Sequence, residues 1–219
     1  MTVLLVSTCA EPFSEAEFVA PLERIACDAG ATVESSSLGT LNSVPEGVSH
    51  ILLAGTTLQD DKYLKEIGAV ERLLETGVPL LAICSGMQLL AAASGGEIIA
   101  QREIGMVAVE TLAENPLCAS RFEAFALHRH AVEPGARLEV LARSKACAQV
   151  VRHRELPAWG VLFHPEVRNE QLVRSFLAIW SDLAPSTVFC AVSLVKPLTP
   201  LTSSSEAALS VSMVWKPPS

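Results

Sequence analysis

The sequence predicts an α/β domain, an open and mostly parallel sheet flanked by helices, with a nucleophile elbow and a few antiparallel strands. Three observations point there. Through the first half of the chain, short β-branched runs alternate with longer segments of helical apolar spacing, the pattern of parallel strands with crossover helices on both faces. One such strand, Pro79 to Ile83, runs directly into a cysteine and then a helix in VPLLAICSGMQLLAAASGG. From about Glu97 onward the pattern changes to short alternating runs joined by turns, as in antiparallel pairing.

Thr2 to Val6 is the first strand. Pro21 suits the first turn of a helix and Gly30 its left-handed cap, so a helix is expected from Pro21 to Ala29. Thr32 to Ser35 returns as a strand, and His50 to Ala54 (HILLA), almost continuously apolar, reads as a strand buried on both faces. Leu64, Ile67, Val70, Leu73 and Leu74 repeat at helical spacing, so one helix is expected over Tyr63 to Thr76, stopping at Gly77. Later strands are expected at Met106 to Thr111, Arg121 to Leu127, Leu138 to Ala142, Ala148 to Arg152 and Trp159 to Phe163. Asn169 can cap a last helix, Glu170 to Leu183, with Leu172, Val173, Phe176, Leu177 and Trp180 on its apolar face. The domain is expected to span 1–184. Residues 185–219, rich in Ser, Thr and Pro, are expected to be a loosely ordered extension, whose Val188 to Val195 run could add a strand to an edge.

Composition narrows the function. A chain of 219 residues, half apolar and only 18% charged, is too hydrophobic for a disordered protein and too interrupted by polar residues for a membrane one. MTVLLVSTCAEPF carries no basic leader, which points to the cytoplasm. A net charge of -8 argues against nucleic acid, since little here would release counterions from phosphate. The six cysteines, at 9, 27, 84, 118, 147 and 190, form no CxxC and no Cys/His cluster at metal-ligand spacing. Most are expected to be reduced, buried, small apolar residues, and no metal or cofactor is expected.

Cys84 stands apart from the other five. Between an apolar strand and an apolar helix, with Ser85 and Gly86 making the turn, it occupies a nucleophile elbow in which Cys replaces Ser. The helix N-terminus beneath it favours negative charge on sulfur. The N–H of Ser85 points where a tetrahedral oxyanion would form, and Gly55, at the end of a neighbouring strand, could supply a second donor. Another strand ends in His164-Pro165-Glu166, and proline forces the chain out of the sheet there. His164 can then serve Cys84 as general base while Glu166 orients the imidazole, at the carboxyl edge where open α/β sheets bind ligands.

AICSGMQLL resembles the nucleophile motif of the class I glutamine amidotransferases, G-x-C-x-G-x-Q, and GVLFHPEV resembles their G-V-x-F-H-P-E. Both occur in the family's order, with AGTT at the position of its oxyanion loop, and the similarity covers about Met1 to Leu183. The resemblance implies a flavodoxin-like sheet and the Cys84, His164, Glu166 triad. It implies glutamine as substrate and Gln88 and His128 as substrate-binding residues. It further implies ammonia delivery to a separate ATP-dependent synthetase. VLARSKACAQVV and WGVLFHPEV are most similar to the glutaminase domain of GMP synthases, whereas EIGMVAVE and LLVSTCAEPFSEAEFV resemble small stand-alone amidotransferase-like proteins. Where the family carries a Ser-His-Gly-Asp or Asn-His-Gly loop, this chain has Leu127-His128-Arg129-His130. Leu127 offers no polar side chain, and Arg129 replaces a permissive glycine. Three readings follow: a stand-alone γ-glutamyl hydrolase, a catalytically weak regulatory subunit or, as the leading one, a glutaminase subunit.

Overall fold

In the computed structural model, residues 1–179 are described, and all of them lie within the unit Met1–Ala184. The expected extension over 185–219, its Val188 to Val195 strand, and the end of the last helix at Trp180 to Leu183 lie outside the described residues.

Nine strands form one mixed sheet. In chain order they are β1 (Thr2–Ser7), β2 (Thr32–Ser37), β3 (Val48–Leu53), β4 (Leu80–Ile83), β5 (Glu97–Thr111), β6 (Arg121–Glu133), β7 (Leu138–Arg143), β8 (Ala148–His153) and β9 (Ala158–Val161). Their spatial order is β2-β1-β3-β4-β9-β8-β7-β5-β6, parallel from β2 to β9 and antiparallel from β9 to β6. The helices are α1 (Pro12–Phe18), α2 (Ala20–Asp28), α3 (Ile67–Glu75), α4 (Ser85–Ala93), α5 (Pro165–Arg168) and α6 (Glu170–Ile179).

The parallel strands are buried on both faces, and alternation assigns each face its own helices. Val3, Leu5, Leu52, Leu81 and Ile83 pack with Leu22 and Ile25 of α2 and Phe176 of α6. Leu4, Val6, Ile51, Leu53, Leu80 and Ala82 face the other way, onto Val70 and Leu73 of α3 and Leu89 and Leu90 of α4. Pro21 lies in the first turn of α2, and Gly30 and Gly77 take positive φ just beyond α2 and α3.

Several expectations are corrected. The helix expected over Tyr63 to Thr76 is a 3-10 turn, Lys62–Lys65, followed by α3, with the break at Glu66. The break leaves Tyr63 free to turn its hydroxyl toward Gln88 rather than follow the apolar stripe of α3. Asn169 does not cap α6 through its side-chain oxygen: its Nδ2 donates to the Glu123 carbonyl at 3.2 Å, and its Oδ1 accepts no hydrogen bond among the described residues. Of the five described cysteines only Cys84 and Cys147 are buried, while Cys27 is exposed. The largest difference concerns β5 and β6, a long antiparallel ribbon in place of two short strands. Leu127 to His130 is therefore the middle of a strand, not a loop. No helix among the described residues is long and apolar enough to cross a membrane.

Candidate active site

β4 ends at Ile83 and α4 begins at Ser85, leaving one residue to reverse the chain. Cys84 does so at φ 50°, ψ −108°, and it is the one non-glycine residue with positive φ among the described residues. Backbone of this kind costs on the order of 1–3 kcal/mol and persists where its surroundings over-determine it. Here they do. A Cβ on Gly86 would lie 2.8 Å from the Leu53 carbonyl oxygen, so only glycine lets α4 start this close to β3. Thr8 gives its hydroxyl proton to the Ala54 carbonyl at 3.0 Å, and Ser85 therefore donates to Thr8 across 2.7 Å. That bond ties the elbow to the end of β1.

The strand carrying His164 leaves the sheet after Val161, earlier than Pro165 alone predicts. Leu162 N bonds the Gln149 carbonyl at 2.9 Å, and His164 N bonds the Phe125 carbonyl of β6 at 2.9 Å, so the ribbon captures the departing chain. Pro165 then opens α5, which holds Glu166 in its first turn. His164 Nδ1 lies 2.7 Å from Glu166 Oε1, with each side chain 1% exposed. A carboxylate accepts only, so Nδ1 carries the proton and Nε2 is left for other work. Burial alone would lower the His164 pKa, but the neighbouring Cys84 and Glu166 outweigh it and raise it well above the ordinary value. The Phe18 ring packs 5.3 Å from the imidazole and closes its outer side.

Gly55 lies between these two groups. A Cβ built on it would meet His164 Cε1 at 2.9 Å and Cys84 Cβ at 3.1 Å. The structure thus brings Gly55, Cys84, Ser85, His164 and Glu166 together at the carboxyl end of the parallel strands.

β6 crosses over them. The Leu127 carbonyl lies 3.7 Å from Cys84 Sγ, and a narrow cleft opens beside the sulfur, bordered by Thr56, Asp61, Tyr63, Gln88, Leu127 and Arg129. Gln88 is buried, and its carboxamide is held at both ends: Tyr63 donates its hydroxyl to Oε1, and Nε2 donates to the His130 carbonyl at 2.8 Å. Burial pushes the Tyr63 pKa up, with Cys84 adding to the effect, so the phenol keeps that proton. His128 differs from expectation. The residue borders the cleft, but its imidazole is wholly buried and faces the Gln101 carbonyl and Glu103. Burial lowers its pKa, against the pull of Gln101 and Glu103.

Besides Tyr63, two residues at the cleft carry no motif and escaped the reading of the sequence. Asp60 accepts from Ala10 N and Thr56 Oγ1, each at 2.8 Å, and from Lys62 N at 3.0 Å. Burial opposes its charge, yet these donors hold its pKa below the usual carboxylate value. It thereby shapes the loop after β3. Asp61 pairs with Arg129 at the mouth of the cleft, joining that loop to β6. The one available signal was the pair Asp60-Asp61 close behind a strand's carboxyl end, where loops carry function.

Residues 16–179 match the family model described as Glutamine amidotransferase class-I. The chain is 31% identical over 158 residues to a glutamine-hydrolyzing GMP synthase subunit of Pyrococcus abyssi, covering 65% of this chain and 84% of that one. The Pyrococcus furiosus protein of the same name is 31% identical over 150 residues, covering 64% and 78%. Among solved structures, a Thermoplasma acidophilum protein assigned provisionally as a GMP synthase subunit shares the fold with a TM-score of 0.75 at 19% identity. That match covers 84% of this chain and 95% of that one. A glutamine amidotransferase from Thermotoga maritima superposes with a TM-score of 0.62 at 23% identity, covering 81% of each chain.

Proposed function

The chain belongs to the class I glutamine amidotransferase family, and from that premise we propose that it is a glutaminase subunit working through a γ-glutamyl thioester on Cys84. The observation that carries the reading is the buried His164–Glu166 pair, 2.7 Å long, set beside a cysteine held at positive φ. A structural cysteine has no need of that strain, nor of a buried charged base next to it.

In the proposed cycle Cys84 gives its thiol proton to His164 Nε2 as Sγ attacks the side-chain amide carbon of glutamine, and the N–H groups of Ser85 and Gly55 receive the developing oxyanion. His164 Nε2–H gives its proton to the departing ammonia while Glu166 keeps the ring oriented. Water then attacks the thioester, giving its proton to His164, and glutamate leaves as the thiol is restored. Gln88, fastened by Tyr63 and His130, acts mainly as a rigid wall of the cleft. The exposed Arg129–Asp61 pair at the mouth matches a zwitterion, so the α-carboxylate and α-ammonium groups of glutamine replace the two partners for one another. Ammonia passes to a separate ATP-dependent synthetase, of the GMP synthase type if the relatives' names extend to this chain.

The test is release of glutamate and ammonia from glutamine by purified protein, with and without a co-purified synthetase, alongside Cys84→Ala. Covalent labelling of Cys84 by a glutamine-like electrophile is the readout independent of turnover. Absence of both turnover and labelling in the wild type would sink the proposal. Faster turnover of a different γ-glutamyl amide, with no partner bound, would favour the stand-alone hydrolase.

A further inference from the structure

Behind β6, on the far side of Leu127 from the cleft, three residues remote in sequence converge. Glu103 comes from β5, His128 from β6 and Cys147 from the turn before β8, and their ligand atoms all lie within 4.8 Å of one another. Nothing in the glutaminase cycle uses them. Glu103 Oε2 stands 3.4 Å from His128 Nε2 and 3.1 Å from Cys147 Sγ. A four-coordinate Zn²⁺, with bonds of about 2.0–2.3 Å, sets its ligand atoms roughly 3.3–3.8 Å apart. These two separations are close to that spacing, and the third, between His128 Nε2 and Cys147 Sγ, lies within 4.8 Å.

The state of His128 provides the independent observation. Its Nδ1 lies 3.1 Å from the Gln101 carbonyl, which can only accept, so Nδ1 bears the proton. Nε2 in the neutral ring is then a lone pair. It is buried, has no hydrogen-bond partner among the described residues, and is aimed at a carboxylate oxygen. Glu103 Oε2 already accepts from Ser144, Cys147 and Gln149, so the unpartnered acceptor is His128 Nε2, and a cation between it and the carboxylate would satisfy it. An imidazole whose other nitrogen donates to a backbone carbonyl is also how metal-bound histidines are oriented. Gln149 completes the ring: its amide lies 2.7 Å from the same Glu103 oxygen and can turn to offer Oε1 as a fourth ligand.

We propose that Glu103, His128 and Cys147 form a binding site for a divalent transition-metal ion of the Zn²⁺ class, which clamps β5, β6 and the turn before β8 behind the active site. The mixed sulfur, imidazole and carboxylate set selects such an ion over Mg²⁺ or Ca²⁺, which take oxygen ligands. In the metal-free protein the Cys147 thiol donates to Glu103. Binding therefore exchanges that proton for the metal, releasing one proton and leaving a thiolate ligand. The sequence showed no sign of the site because its members stand 25 and 19 positions apart, on elements that only the ribbon brings together.

The test is titration of the full chain with Co²⁺ in a Cys84→Ala background, which removes the other cysteine–histidine pair. One equivalent should bind with a thiolate-to-cobalt charge-transfer band, be displaced by Zn²⁺, release one proton and raise Tm. Adding Cys147→Ser should abolish the band. Glu103→Gln, which keeps the shape of the side chain, should weaken binding by more than the roughly 10–100-fold lost on removing an outer-shell partner. Absence of the band in Cys84→Ala, its survival in Cys147→Ser, or unchanged affinity in Glu103→Gln would each overturn the proposal.

Discussion

Replacing Gly55 with alanine tests whether the cysteine and the imidazole are held in one reacting geometry. The new Cβ would lie 2.9 Å from His164 Cε1 and 3.1 Å from Cys84 Cβ, whereas ordinary contact begins near 3.4 Å. To reach ordinary carbon–carbon contact the imidazole must therefore retreat by about 0.5 Å and the Cys84 Cβ by about 0.3 Å. Gly55 does not have positive φ, so the cost falls on contacts alone. Neither neighbour yields easily. The imidazole is stopped by Phe18 on its outer side and tied to Glu166, and Cys84 is locked in the elbow. Overpacking a buried site costs about 1–3 kcal/mol. In a domain of this size each kcal/mol lowers Tm by roughly 2–4 °C, so the folded protein survives. Rate suffers more: a 1 Å misplacement costs about 100-fold, so half that shift predicts roughly a 10-fold fall in kcat. Glutamate release at saturating glutamine, the rate of Cys84 alkylation and a thermal melt measure the three quantities. A Gly55→Ala protein that melts as the wild type does and keeps its kcat and alkylation rate would refute the reasoning.

Glu166→Ala should reduce kcat less than Cys84→Ala or His164→Ala, because it orients a base rather than exchanging bonds; equal losses would contradict that ranking. Cys84→Ala should lower the His164 pKa, read by NMR titration of the ring, because Cys84 leads the influences that raise it against burial; an unchanged value would refute this. The sign for stability follows. His164 contributes fully below its unfolded pKa of about 6.5 and loses the contribution as pH rises through its raised folded value. Urea unfolding should therefore show the wild type weakening toward alkaline pH over a window that moves lower in Cys84→Ala. Arg129→Ala should raise KM for glutamine roughly 10-fold at nearly constant kcat, with the thermal melt essentially unchanged because the pair is exposed; a change confined to kcat would remove Arg129 from substrate binding.

The parallel half of the fold was legible because its signals are local. HILLA and PLLAI are apolar runs too short for helices, α2 and α3 end at glycines, and the elbow concentrates small residues around one cysteine. His164-Pro165-Glu166 was legible for the same reason: proline announces the break, and its two neighbours are the residues delivered to the site. The ribbon was not legible. In β5 burial alternates weakly between half-buried and exposed, so residues 97–105 lack the apolar alternation that marks a strand. In β6 the run Leu127 to His130 carries two histidines and an arginine, polar side chains that read as a loop. Tertiary partners decide its conformation, namely Gln88, Asp61 and Glu103, and none is near in sequence.

Those partners also explain why the register of β6 matters more than its propensity. Gln88 holds the His130 carbonyl, His164 N holds the Phe125 carbonyl, and Asn169 holds the Glu123 carbonyl, so α4 and the two caps of α5 grip the strand at three points along its length. A slip of one residue would turn every side chain to the opposite face. Arg129 would enter the buried pocket beside Glu103 and Cys147, His128 would leave it, and the Leu127 carbonyl would move off Cys84. A guanidinium can satisfy one carboxylate there, but it cannot fill the narrow space taken by an imidazole without displacing Cys147 and Gln149. The strand that looked least like a strand is thus fixed by contacts remote in sequence, and it carries the wall of the cleft on one face and the Glu103 cluster on the other.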